Sequence, residues 1–118
     1  MRVFWLDSPE ALHRLRAAAE RLLAERPEVR SVVLFGSLAE GHAVPGSDAD
    51  VLLLLDRSER PRWFDRPLDY RRAFEGVGMP VELFCYTREE AGRVPLARRA
   101  LERGLVLATR DPVETPRG

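Results

Sequence analysis

The residues of this chain whose types and spacing could do chemistry are Gly36-Ser37 and, ten residues further on, Asp48-Ala49-Asp50. Gly36 lets backbone approach a ligand with no Cβ in the way. Ser37, opening a short helix-prone stretch from Leu38 to Glu40, offers N–H groups and a hydroxyl suited to a phosphate. In an extended chain Asp48 and Asp50 lie two apart and project from the same face, where they repel each other unless a cation sits between them. From ordinary residue frequencies, these four positions arise by chance about once in a thousand chains of this length. A lone Asp-x-Asp near a Gly-Ser turn is more often a turn-former, so the weight rests on the combination.

The flanking sequence says what must position these groups. Ser31 to Phe35 is apolar and rich in β-branched residues, a Gly- and Pro-containing connection follows, and a second apolar run continues from Val51 to Leu55. This reads as strand, turn, strand. Val51 to Leu55 is apolar throughout, as expected of a central strand buried on both faces, with the two aspartates at its entry. Val81 to Tyr86 reads as a third strand led in by Pro80, and alternation puts Val81, Leu83 and Cys85 on one face with Glu82, Phe84 and Tyr86 on the other. Glu82 is an acid inside an otherwise apolar strand. Either it pairs at a strand edge with one of the many arginines, or it is the third carboxylate that a two-metal site requires.

Around these strands the pattern is helical. Ser8-Pro9-Glu10 is a helix start, with Ser as N-cap, and Leu12, Leu15, Ala19, Leu22 and Leu23 make an apolar face down to Pro27. Asp56 to Pro67 is polar and Pro-broken and contains Trp63-Phe64, and Leu68 to Gly76 reads as a helix. Thr87 with Glu90 forms a capping box, and the helix it opens is interrupted at Pro95 and ends at Gly104 before a short strand, Leu105 to Ala108. Residues 1–110 then form one domain, and the Pro-containing stretch from Arg110 or 111 to 118 is a loose tail. The first two strands should be antiparallel, and the helical connection to the third favours a parallel pair. The expected fold is α/β, a small mixed β-sheet covered by helices, with Glu82 beside the aspartates.

The Gly36-Ser37 and Asp48-Ala49-Asp50 pattern resembles the signature of the DNA polymerase β-type nucleotidyltransferase superfamily, over about residues 8 to 108. The short chain is similar to the minimal nucleotidyltransferases, many of which are antitoxins paired with HEPN-domain toxins. The resemblance implies a polymerase β-like fold. It also implies two Mg²⁺ ions held by Asp48, Asp50 and Glu82, and a nucleoside triphosphate, ATP, held at Gly36, Ser37 and Ser47. AMP would pass to a hydroxyl of a partner macromolecule, a HEPN toxin, since little of the chain is left to build an acceptor pocket. Two departures stand out: the family more often carries Asp where this chain has Glu82, and many relatives have Arg where it has Glu40. Arg30, Arg57 or the ions would have to offset Glu40. A non-catalytic antitoxin, and an enzyme acting on a small molecule such as an aminoglycoside, are the alternatives.

Composition bounds the rest. The 118 residues suffice for one core, and 45% hydrophobic with 32% charged is ordinary for a soluble domain. No run reaches the roughly 20 apolar residues that span a membrane, so a cytoplasmic protein is expected. All nineteen basic residues are arginine, balanced by nineteen acids, and this neutrality argues against direct nucleic-acid binding. Cys85 has no disulfide partner in the chain and reads as a buried strand residue, while His13 and His42 lack partners at metal-ligand spacing. Trp63 or Tyr86 could stack on a base, and the Trp63-Phe64 loop and Phe4-Trp5 are candidate docking surfaces.

Overall fold

The computed structural model describes residues 9–36, 39 and 48–111. Helix α1 (Pro9–Glu25) leads into β1 (Val29–Phe35) and β2 (Ala49–Leu55). A 3₁₀ turn (Trp63–Asp65), the short helix α2 (Pro67–Tyr70) and a second 3₁₀ turn (Arg71–Phe74) follow. Then come β3 (Val81–Thr87), α3 (Arg88–Ala91), α4 (Pro95–Arg103) and β4 (Leu105–Thr109). The sheet order is β3-β2-β1-β4, with β1 antiparallel to β2 and β4 and β2 parallel to β3. This is the small mixed sheet expected, with β2 interior to it.

Each face of the sheet has its own core. On one, Ala11, Leu15, Ala18, Ala19 and Leu22 of α1 are buried against Val32, Leu34, Val51, Leu53, Leu55, Leu83 and Cys85. The spacing of four, three, one and three residues is one face of a helix. Ala11 and Ala18 replace the expected Leu12 and Leu23 at its centre, because small residues let the helix lie close to the sheet while the two leucines flank it half-buried. On the other face, Ala97 and Ala100 of α4 and Ala91 of α3 pack on Val33, Leu52, Leu54 and Tyr86. Gly104 allows α4 to close on β1, since a Cβ there would lie 2.4 Å from Val33 Cγ1 and 2.8 Å from the Leu34 carbonyl oxygen.

Two expectations need correction. The helix read over Leu68–Gly76 is a one-turn α-helix followed by a 3₁₀ turn, because Tyr70 leaves helical geometry (φ −123°, ψ −16°). Its buried ring sends the hydroxyl to Glu28 Oε2 at 2.7 Å. Arg110 and Asp111, read as the start of a loose tail, are instead bonded to the sheet. Arg110 donates its backbone N–H to the Arg30 carbonyl (2.9 Å) and its side chain to the Val29 and Arg26 carbonyls (2.7 and 2.9 Å), and Asp111 accepts from Arg30 at 3.3 Å. Residues 112–118, like Ser8, Phe4 and Trp5, lie outside the described residues. Among the described residues no helix is long and apolar enough to cross a membrane.

The connection between β2 and β3 is fastened by Arg66, only 2% exposed. Its guanidinium donates from Nε to the Arg60 carbonyl (2.8 Å) and from Nη1 to the Cys85 carbonyl (3.1 Å) and Glu90 Oε1 (2.6 Å). Nη2 donates to the Pro61 carbonyl (3.2 Å) and Glu90 Oε2 (3.1 Å). All five guanidinium donors are thereby satisfied. Glu90 also completes the capping box, accepting from the Thr87 N–H at 2.9 Å while its own N–H reaches Thr87 Oγ1 at 3.2 Å.

Glu90→Gln would leave the buried guanidinium without its countercharge, a loss of about 3 kcal/mol that urea denaturation would read. The Arg66 hydrogen bonds, opposed by partial burial, hold the Glu90 carboxyl below its ordinary value. Its contribution is therefore complete above the ordinary glutamate range and fades as pH falls through the lowered value. Glu90→Gln should flatten the wild-type fall in stability on acidification below about pH 4.5.

Candidate active site

The strand register brings the predicted residues to one end of the sheet. Asp50 pairs across β1–β2 with Phe35 and across β2–β3 with Glu82. Neighbouring strands lie about 4.8 Å apart, so Asp50 and Glu82 stand side by side on the face carrying Leu52, Leu54, Phe84 and Tyr86. Asp48 directly precedes the strand. Its follower Ala49 is buried and donates its N–H to the Pro80 carbonyl at 2.9 Å, which ties the entries of β2 and β3 together. Asp48 and Glu82 are exposed and Asp50 half-buried.

Gly36 closes the site on the β1 side. It has φ +81°, and a Cβ built there would fall 2.6 Å from Asp50 Oδ2. The aspartate carboxylate thus lies against the space that any other residue's side chain would fill. Conformation and contact both require glycine at this position. Ser37, Ser47, Glu40 and His42 lie outside the described residues.

Electrostatics distinguish this cluster from the other acids. Burial first, then the negative charges of Glu82 and Asp48, push the Asp50 carboxyl above its ordinary value. In a chain with nineteen arginines, the side chains of Asp48, Asp50 and Glu82 make no ion pair or hydrogen bond among the described residues. The strand-edge pairing considered for Glu82 is absent there. Asp56, Asp69 and Glu90, by contrast, are each neutralised by arginine. Oxygen donors without an arginine partner, two of them adding negative charge beside the part-buried Asp50, fit a hard divalent cation. The three do not, however, form a closed cage. Among the described residues no group of three His, Cys, Asp or Glu is gathered as a metal site.

Other expectations fail for reasons of topology. Arg30 and Arg57, expected to offset Glu40, do not lie beside the carboxylates. Arg30 is the second residue of β1, five residues or about 16 Å along the strand from Phe35, and is bonded to Asp56 at 3.2 and 3.1 Å. Arg57 lines a hollow with Arg26, Glu28, Arg60, Asp69 and Tyr70 at that same far end of the sheet. Tyr86 is 6% exposed under Trp63, so its ring is not free to stack on a base. Cys85, by contrast, is the buried strand residue expected, and burial pushes its thiol up to about 12, which leaves it inert in the core. Sequence reading missed Phe35 as a neighbour of the carboxylates, because its pairing with Asp50 is a matter of register.

A model of the nucleotidyltransferase domain family matches residues 15–107. A crystal structure from Sulfolobus solfataricus, described as a candidate nucleotidyltransferase, has a similar fold, with a TM-score of 0.63. Its identity is 22%, covering 87% of this chain and 90% of that one. No curated protein sequence matches the chain.

Because the fold disfavours ionised Asp50, Asp50→Asn should raise the melting temperature at neutral pH in the absence of metal. The sign follows from linkage: a raised carboxyl pKa makes the charged form a cost above that pKa, relieved as pH falls or when the charge is removed. Mg²⁺ with a nonhydrolysable ATP analogue should raise the melting temperature of wild type, and the same variant should lose that rise. Gly36→Ala should cost about 1–3 kcal/mol in chemical denaturation through its positive φ alone, and should abolish that metal-dependent rise by displacing Asp50.

Proposed function

The chain belongs to the nucleotidyltransferase domain family, and we propose that it transfers AMP from ATP to a hydroxyl of a partner macromolecule, a HEPN-domain toxin, and so acts as its antitoxin. The observation that carries the catalytic part is that Asp50 and Glu82 stand side by side on one sheet face with Asp48 at the strand entry, without an arginine partner among the described residues, and that Asp50 lies against the Cβ-free side of Gly36.

Asp48 and Asp50, with Glu82 as the third carboxylate, would hold two Mg²⁺ ions. When bound, these ions would supply charge neutralisation to a triphosphate and acidify an acceptor hydroxyl. The remaining work falls to the chain itself. Gly36 leaves its backbone open to phosphate, assisted by Ser37 and Ser47. Glu82, exposed on the edge strand β3, faces the side from which an acceptor can approach. The acceptor oxygen attacks the α-phosphorus as its proton passes to solvent water, the new O–P bond forms in line with the bond that breaks, and pyrophosphate leaves with that bond's electron pair. For the partner, Phe64 and Leu68, each 56% exposed on the β2–β3 connection, offer apolar contact.

One observation favours a second reading. The carboxylates are not drawn together around a cation site among the described residues, as a non-catalytic antitoxin or nucleotide-binding module would allow.

Incubation with α-labelled ATP, Mg²⁺ and a HEPN protein separates the two. Label should appear on a hydroxyl side chain of the partner, and Glu82→Gln should reduce transfer by several orders of magnitude while nucleotide binding through Asp48 and Asp50 persists. Binding without transfer to any macromolecular acceptor would leave the non-catalytic reading standing. Glu82→Gln transferring at the wild-type rate would remove Glu82 from the site.

A further inference from the structure

The carboxylates are continuous with a run of aromatic rings on the same face. Phe35, cross-strand partner of Asp50, meets Phe84 edge to face with ring centroids 5.4 Å apart. Phe84 is two residues beyond Glu82, about 7 Å along the strand, a separation that a ribose bridges. Trp63 lies nearly parallel to Phe84, at 6.4 Å and 16°, and covers Tyr86 at 5.4 Å. Leu52, Leu54 and Tyr86, further along this face, are closed over by α3, α4 and Trp63. Phe35 and Phe84 are only half-buried, and Trp63 keeps 39% of its surface exposed.

The backbone on either side of Trp63 is also tied together. It sits between Pro61 and Arg66, and the Arg66 guanidinium binds the Arg60 and Pro61 carbonyls on one side and the Cys85 carbonyl with Glu90 on the other. The loop is thereby closed on itself across the indole and fastened to β3 through Arg66. A fixed aromatic plane loses no conformational freedom when a ring stacks on it.

We propose that Trp63, backed by Phe84, is the platform on which the base of the bound nucleoside triphosphate stacks, and that Arg66 is the positioning residue that holds it there. This rests on the nucleotidyl-transfer reading and extends it to the base. The bound base is a flat π-system held by stacking, with its triphosphate toward Gly36 and Asp50. Purines, with the larger stacking area, bind more tightly than pyrimidines.

The test compares binding of a nonhydrolysable ATP analogue with binding of inorganic tripolyphosphate, each with Mg²⁺, by calorimetry. Trp63→Leu should weaken the ATP analogue roughly 10- to 100-fold, the range of a lost base–aromatic stack, and leave tripolyphosphate unchanged. Trp63→Phe should recover most of that loss. In a Trp5→Phe background, where Trp63 is the sole indole, its fluorescence should be quenched by the ATP analogue and not by tripolyphosphate. Arg66→Lys, which cannot satisfy the same five acceptors, should raise the KM for ATP with kcat little changed, provided its circular dichroism matches wild type. An unchanged affinity of Trp63→Leu for the ATP analogue, with wild type binding both ligands, overturns the platform alone. If wild type binds neither ligand, the nucleotidyl-transfer reading fails and this proposal with it.

Discussion

The register of β2 between β1 and β3 is the constraint on which the rest of the molecule depends. Asp50 is opposite Phe35 on one side and Glu82 on the other. A slip of one residue in either ladder would turn these side chains to the opposite face, into the core under α1. Burial guards the register from both directions. Val51, Leu53 and Leu55 fill the α1 side while Leu52 and Leu54 fill the α3–α4 side, so a slipped strand would need to repack two cores at once. The polar end of β2 is fixed by the apolar remainder of the same strand.

That rigidity lets the fold retain an unfavourable arrangement of charge. Elsewhere this chain pairs its acids with arginine: Asp56 with Arg30 and Arg88, Asp69 with Arg60, Glu90 with Arg66. At the carboxylate end no guanidinium intervenes among the described residues, and Asp50 carries both burial and two like charges. Groups kept in a costly state by a scaffold that could neutralise them are the usual mark of a functional site. Family membership gives the same cluster its chemical context.

The two faces are covered differently, and the difference has a use. Helix α1 covers its face together with Tyr70, Phe74, Val77 and Met79 of the β2–β3 connection, whereas the short α3 and α4 leave the carboxylate end of the other face to aromatic rings. Small residues at the contacts, Ala97, Ala100 and Gly104, bring α4 down onto β1. On the far side of that face the role of a helix passes to a loop, made stiff by one buried arginine. Arg66 thus joins three segments, the β2–β3 connection, the end of β3 and the first turn of α3, through a single planar group.

The sequence by itself determined what is local and periodic. The runs of β1, β2 and β3, the capping box at Thr87 and Glu90, the break at Pro95 and the stop at Gly104 all follow from side-chain alternation and from residues with one strong backbone preference. The spacing of Gly36 from Asp48 and Asp50, and the lone acid in β3, marked the carboxylate cluster because charge is conspicuous in apolar strands. Only the tertiary structure decided the rest. Tyr70 broke its helix to reach Glu28, forty-two residues away, and Arg30 and Arg57 fell at the wrong end of the sheet. Arg66, one of nineteen identical residues, became the buried clasp. An arginine's sequence neighbours do not reveal which distant carbonyls and carboxylates will surround it, and it is those partners, assembled by register and packing, that distinguish a clasp from a solvated charge.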